Sequence, residues 1–124
     1  KNKNEVSIKK ILSNQKDIIL KVDIEGDEYN LLKKINTKYK KINLLIIEFH
    51  KVSKNINKIK KFILGRKFKI IHIHANNFGS IDKKGDPNVL ELTLINSKKF
   101  KTNNLKSNSK YPIPGLDFKN LTRK

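Results

Sequence analysis

Apolar residues in this chain come in short bursts separated by stretches rich in lysine and asparagine, and the bursts follow two different spacings. Ile18-Ile19-Leu20-Lys21-Val22-Asp23 is a nearly continuous β-branched run. Its length suits a strand and not a helix, and its composition predicts a parallel strand covered on both faces. Leu44-Leu45-Ile46-Ile47-Glu48-Phe49 predicts a second strand of the same kind, and Phe68-Lys69-Ile70-Ile71-His72-Ile73-His74 a third. Val89-Leu90-Glu91-Leu92-Thr93-Leu94-Ile95 mixes apolar and polar positions, and predicts a last strand antiparallel to the third.

Between the first two runs the spacing turns helical. Tyr29, Leu32 and Ile35 follow the turn Glu25-Gly26-Asp27-Glu28, with acid in the first turn and Lys33 and Lys34 near the end, which suits the helix dipole. Val52, Ile56, Ile59 and Ile63 define one face of a second helix, closed by Gly65 as its C-cap. The loop at residues 75–87 collects Asn76, Asn77, Gly79, Gly85 and Pro87, all turn formers. The order strand, helix, strand, helix, strand, strand predicts an α/β fold: parallel strands with helical crossovers and one final antiparallel strand.

Three segments follow from this pattern. Residues 1–16 form a polar lead-in with a short helix or little order, residues 17–96 the α/β domain, and residues 97–124 a polar linker followed by an irregular tail with Pro112, Pro114 and Gly115. Composition changes the picture little. The net charge of +18 invites a polyanion partner. All but two of the 29 basic residues are lysine, however, and arginine is the usual tool for bidentate phosphate and guanine contacts. Lysines occur in every segment, so the charge reads as a solvated surface and nucleic acid is disfavoured as a partner. There is no cysteine, hence no disulfide framework or thiolate metal site. No apolar run approaches a membrane span or a signal peptide, and a cytoplasmic location is expected.

Candidate chemistry comes from where the strands end. Ligands of open α/β sheets sit outside the carboxyl ends of the parallel strands. The first strand delivers Asp23 and Glu25 there, the second Glu48 and His50, and the third His72, His74, Asn76 and Asn77. Several have plainer readings. Asp23 is a good N-cap for the helix that follows, and Gly26 serves a tight turn with or without a ligand. Glu28 reads as a solvated first-turn carboxylate, His72 as a hydrogen-bonded structural histidine, and Glu91 as the partner of a lysine or a backbone group. Carboxylate and imidazole at Asp23, His50 and His74 suit several divalent ions, but no tight ligand spacing marks a site and no metal is expected.

Three stretches carry a resemblance to a known family. They are Leu20-Lys21-Val22-Asp23-Ile24-Glu25-Gly26-Asp27-Glu28-Tyr29, then Leu45-Ile46-Ile47-Glu48-Phe49-His50, then His72-Ile73-His74-Ala75-Asn76-Asn77 with Pro87-Asn88-Val89-Leu90-Glu91-Leu92-Thr93. With residues 112–117 they cover roughly residues 17–118, and resemble the FkbM-type methyltransferases, whose strand ends in an Asp-x-Glu-Gly-x-Glu turn. The resemblance implies the C-terminal half of a Rossmann-like class I methyltransferase sheet, S-adenosylmethionine as methyl donor, and O-methylation of a hydroxyl on a sugar or a secondary metabolite. It implies Asp23, Glu25, His50 and His74 as catalytic candidates, and Glu48, Asn76 and Asn77 as substrate-binding ones. The family's glycine-rich turn for the donor has no counterpart, since no two of Gly26, Gly65, Gly79, Gly85 and Gly115 are close enough for a Gly-x-Gly turn. The N-terminal half of the same domain is therefore the expected partner. Two rival readings remain: a lysine-rich module for nucleic acid or acidic surfaces, and a non-catalytic half-domain kept for protein interaction.

Overall fold

In the computed structural model, residues 8–76 and 79–101 are described, together with Asn108, Lys110 and Pro114. Asn77 and nearly all of the tail lie outside them, and with them the expectations placed there. The elements run α1 (Ile8–Ser13), β1 (Ile18–Val22), α2 (Glu28–Lys38), a 3-10 turn (Tyr39–Lys41), β2 (Ile42–His50), α3 (Val52–Leu64), β3 (Phe68–Ala75) and β4 (Val89–Asn96). The four strands make one mixed sheet in the order β1-β2-β4-β3. β1 and β2 are parallel across the α2 crossover. β4 is antiparallel to β3, as the hydrophobic pattern predicts, and equally to β2, because it inserts between them. β1, β2 and β3 therefore end at the same edge.

One face of the sheet carries the core. Burial alternates along β2, with Leu45, Ile47 and Phe49 sealed and Ile46, Glu48 and His50 half-buried, which is the period-two signature of a sheet packed on one side. Leu92 and Leu94 of β4 extend that face, and Leu32 and Ile35 of α2 with Val52, Ile59 and Phe62 of α3 close over it. Phe62 stacks on Phe68 at 5.8 Å between ring centroids, and Tyr29 leans on Phe49 at 5.6 Å. The expectation of parallel strands covered on both faces thus holds for one face only. On the other, Ile19 is 69% exposed, and Leu44, Ile46 and Ile95 remain partly exposed.

Two details set the geometry of the ends. Gly65 takes the C-cap of α3 in a helical conformation (φ −61°), and the left-handed residue that turns the chain out is Arg66 (φ 53°), one position later than the glycine suggests. At the amino edge Asn96 is fully buried and fully bonded. Its amide donates to the carbonyls of Tyr39 (2.7 Å) and Ile42 (2.8 Å), and its oxygen accepts the Lys98 N–H (2.9 Å). A buried amide satisfied in this way locks β4 against the start of β2.

A carboxylate-rimmed histidine at the carboxyl edge of the sheet

After β1 the chain reverses within four residues. The Asp27 N–H donates to the Ile24 carbonyl (3.3 Å), with Glu25 at φ 53° and Gly26 at φ 106° between them. Two successive positive φ angles explain the glycine, since nothing but a Cβ-free residue takes the second without strain. Glu25 has no such freedom. A left-handed glutamate costs about 1–2 kcal/mol, a conformation that tends to persist where function over-determines it. The turn aims Glu25 back over the end of β2.

There His50 sits, its side chain 14% exposed, with three carboxylates around the ring. Nε2 lies 3.3 Å from Oε1 of Glu48 and 3.5 Å from Oε2 of Glu25. Nδ1 lies 3.5 Å from Oε1 of Glu28, is closed to solvent, and makes no hydrogen bond. Asp23 joins from the end of β1: Asp23, Glu25 and His50 each bring one ligand atom within 4.8 Å of the others. Such a donor set suits several divalent ions, but Asp23 and Glu25 are exposed and exposed acids reach this spacing without one, so the geometry assigns no metal.

The remaining candidates divide. Asn76 joins the site, its amide donating to Oε2 of Glu48 (3.2 Å). His74 does not. The register aligns Glu48 with Glu91 and Glu91 with His74, so His74 is two strands from Glu48, about 10 Å at the usual strand spacing. Its ring instead stacks on His72 at 6.5 Å. Glu91 pairs with Lys21 (3.7 Å), the plainer of its two readings. Asp23 is not the cap of α2, because Asp27 holds that position.

Glu28 overturns its expected role. Although it is the first residue of α2, it is completely buried. Its Oε2 accepts the Gly26 N–H (2.8 Å) and its Oε1 the His50 N–H (2.6 Å), so one carboxylate fastens the Glu25–Gly26 turn to the end of β2. Next to it, the Tyr29 hydroxyl donates to the His50 carbonyl (2.6 Å). Burial, helped by the negative charge of Glu28, pushes the Tyr29 phenol up to about 12, against a smaller opposing effect of Asn55. Only a signal such as the three-residue spacing of Glu25 and Glu28 around a glycine hinted at Glu28; helical periodicity by itself points it to solvent.

No protein-family model matches the chain, and no curated protein or solved structure is detectably similar to it. No helix among the described residues is long and apolar enough to cross a membrane.

Proposed function

We propose that this chain is the acceptor-side part of an S-adenosylmethionine-dependent methyltransferase of the FkbM type, and that it prepares a hydroxyl of a sugar or a secondary metabolite for O-methylation. The observation that carries this reading is the set of groups at the sheet edge. Glu25 and Glu48 flank Nε2 of His50, Asp23 brings a carboxylate oxygen within 4.8 Å of the ring, and among these described side chains the one donor amide, that of Asn76, is already given to Glu48. An edge built of acceptors is filled best by a ligand that brings donors, and a hydroxyl-rich compound does so. Supporting it, the sheet has the single antiparallel strand that the family resemblance implies.

The methyl donor itself does not fit the described residues. Gly26 stands alone at the end of β1, Gly65 closes α3 at the opposite edge, and Gly79 and Gly85 are taken up by the β3–β4 loop. The donor site belongs to residues outside these. A sulfonium methyl is already activated, so what is asked of this edge is alignment and removal of a proton. Glu48 and Asp23 orient the hydroxyl, and Nε2 of His50 receives its proton as the oxygen becomes a nucleophile. A positioned base of this kind is worth roughly 10²–10⁴-fold in rate.

The test is methyl transfer by protein that joins this chain to a glycine-rich donor-binding half, assayed with labelled donor against a panel of hydroxyl acceptors. Asp23→Ala and His50→Ala are expected to abolish transfer with the circular dichroism spectrum unchanged. Wild-type turnover in both variants overturns the assignment. The 124-residue chain alone is expected to show no heat of binding with S-adenosylmethionine.

A further inference from the structure

A carboxylate at the first position of a helix is favoured by the dipole and is ordinarily solvated. Glu28 is neither solvated nor idle. Each of its oxygens accepts a backbone N–H, from Gly26 and from His50, and so the carboxylate presents only lone pairs to what lies beyond. What lies beyond is Nδ1 of His50, 3.5 Å from Oε1, shielded from water and without another partner. An imidazole nitrogen is either a donor or an acceptor. If Nδ1 carries no proton, two lone pairs face each other at a contact closed to solvent, and if it carries one the contact is attractive. Nε2 also faces carboxylates, Glu48 at 3.3 Å and Glu25 at 3.5 Å, but Glu25 is 88% exposed, so solvent can answer a bare Nε2 there as it cannot at Nδ1.

We infer that Glu28 is the positioning residue of His50: it holds the neutral ring in the Nδ1–H tautomer and so leaves the lone pair on Nε2, where the acceptor hydroxyl arrives. The arrangement follows a general logic in which a buried carboxylate orients a histidine base from behind. It also explains why Glu28 bonds the backbone of His50 as well as facing its ring, since both the position and the rotation of the imidazole are then fixed by one group. When Nε2 takes the hydroxyl proton, the resulting imidazolium is flanked by Glu25, Glu28 and Glu48, and the developing charge is met without rearrangement. The direction of proton transfer rests on the function proposed above; the tautomer does not.

The tautomer is read directly from nitrogen chemical shifts in a two-bond ¹⁵N–¹H correlation spectrum of the labelled 124-residue chain, at a pH where the ring is neutral. The expected result is a protonated Nδ1 and an unprotonated Nε2 at His50, with that preference lost in Glu28→Gln. An Nε2–H tautomer in the wild type, or an unchanged tautomer in a folded Glu28→Gln variant, overturns the inference. If Glu28→Gln does not fold, the wild-type spectrum decides alone. In the active protein, Glu28→Gln is expected to lower kcat on the order of 100-fold or more with KM little changed, and to cost nothing further in a His50→Ala background. Additive losses in that double variant show that Glu28 acts other than through His50 and reject its positioning role. Absence of methyl transfer in the wild type with the expected tautomer present removes the proposed function and leaves the Glu28–His50 assignment standing.

Discussion

Tyr29 shows how closely the site is tied to the stability of the fold. Its ring packs on Phe49, its hydroxyl donates to the carbonyl of His50, and the ammonium of Lys58 lies 5.3 Å from the ring centroid. Replacing it by phenylalanine keeps the ring and removes the hydrogen bond, at an expected cost of about 1 kcal/mol near neutral pH. The pH dependence has a definite sign. The phenol is pushed up to about 12 in the folded chain from an ordinary 10.0, so folding favours the protonated form. That stabilisation is complete below the unfolded value and is lost as pH climbs towards the folded one. Urea denaturation of wild type and Tyr29→Phe is expected to give a constant difference up to about pH 9, shrinking as pH rises further. A difference that stays flat to pH 12 shows that the phenol titrates alike in both states.

At the scale of elements, the β3–β4 loop decides whether Asn76 reaches Glu48. Gly79 lies so close to β4 that an added Cβ would meet the Val89 side chain at 2.8 Å and the Asn76 carbonyl at 3.2 Å. Its N–H donates to that same carbonyl (3.0 Å), while the Asn76 N–H donates to Val89 (3.2 Å). Gly79→Ala is expected to destabilise the chain by about 1–3 kcal/mol through overpacking, and to loosen Asn76 from Glu48. A lower urea midpoint at constant m-value, with faster exchange of the Asn76 side-chain amide, checks this; an unchanged midpoint shows that the loop yields freely. The same scale explains what the hydrophobic pattern could and could not reveal. Every strand and both long helices were legible, because short β-branched runs and three-to-four spacing are local properties. The insertion of β4 between β2 and β3 was not, since strand order depends on pairing across the sheet that no single segment encodes. The site was half legible for the same reason. Of the residues named by the strand-end rule, Asp23, Glu25, Glu48, His50 and Asn76 lie together, His74 lies two strands from Glu48, and Asn77 is outside the described residues. The rule missed Glu28, whose burial depends on a turn with two positive φ angles and not on its place in the helix.

At the scale of the whole molecule, exposed lysines are spread over every described segment, with a dense set on the helix layer. The helix layer exposes Lys33, Lys34 and Lys38 from α2 and Lys54, Lys58, Lys60 and Lys61 from α3, and α3 contains no acid at all. Asp23, Glu25 and Glu48 gather instead at the sheet edge around His50. A net charge of +18 on 124 residues repels itself, and exposed lysines far apart are screened as the Debye length falls from about 30 Å at 0.01 M salt to about 8 Å at 0.15 M. The melting temperature is therefore expected to rise over that range of salt. Polyanions will be attracted to the helix layer, but through lysine point charges that carry no means of reading a base. Duplexes of unrelated sequence and a sulfated polysaccharide of similar charge density are expected to bind alike, with affinity falling linearly in log salt and with no change at His50 in the nitrogen spectrum. That pattern makes the lysines a consequence of composition and leaves the acidic edge as the candidate site. Binding that discriminates one nucleic-acid sequence from another, or that persists at about 0.5 M salt where such contacts are largely screened, reverses the ranking and makes the helix layer the functional surface.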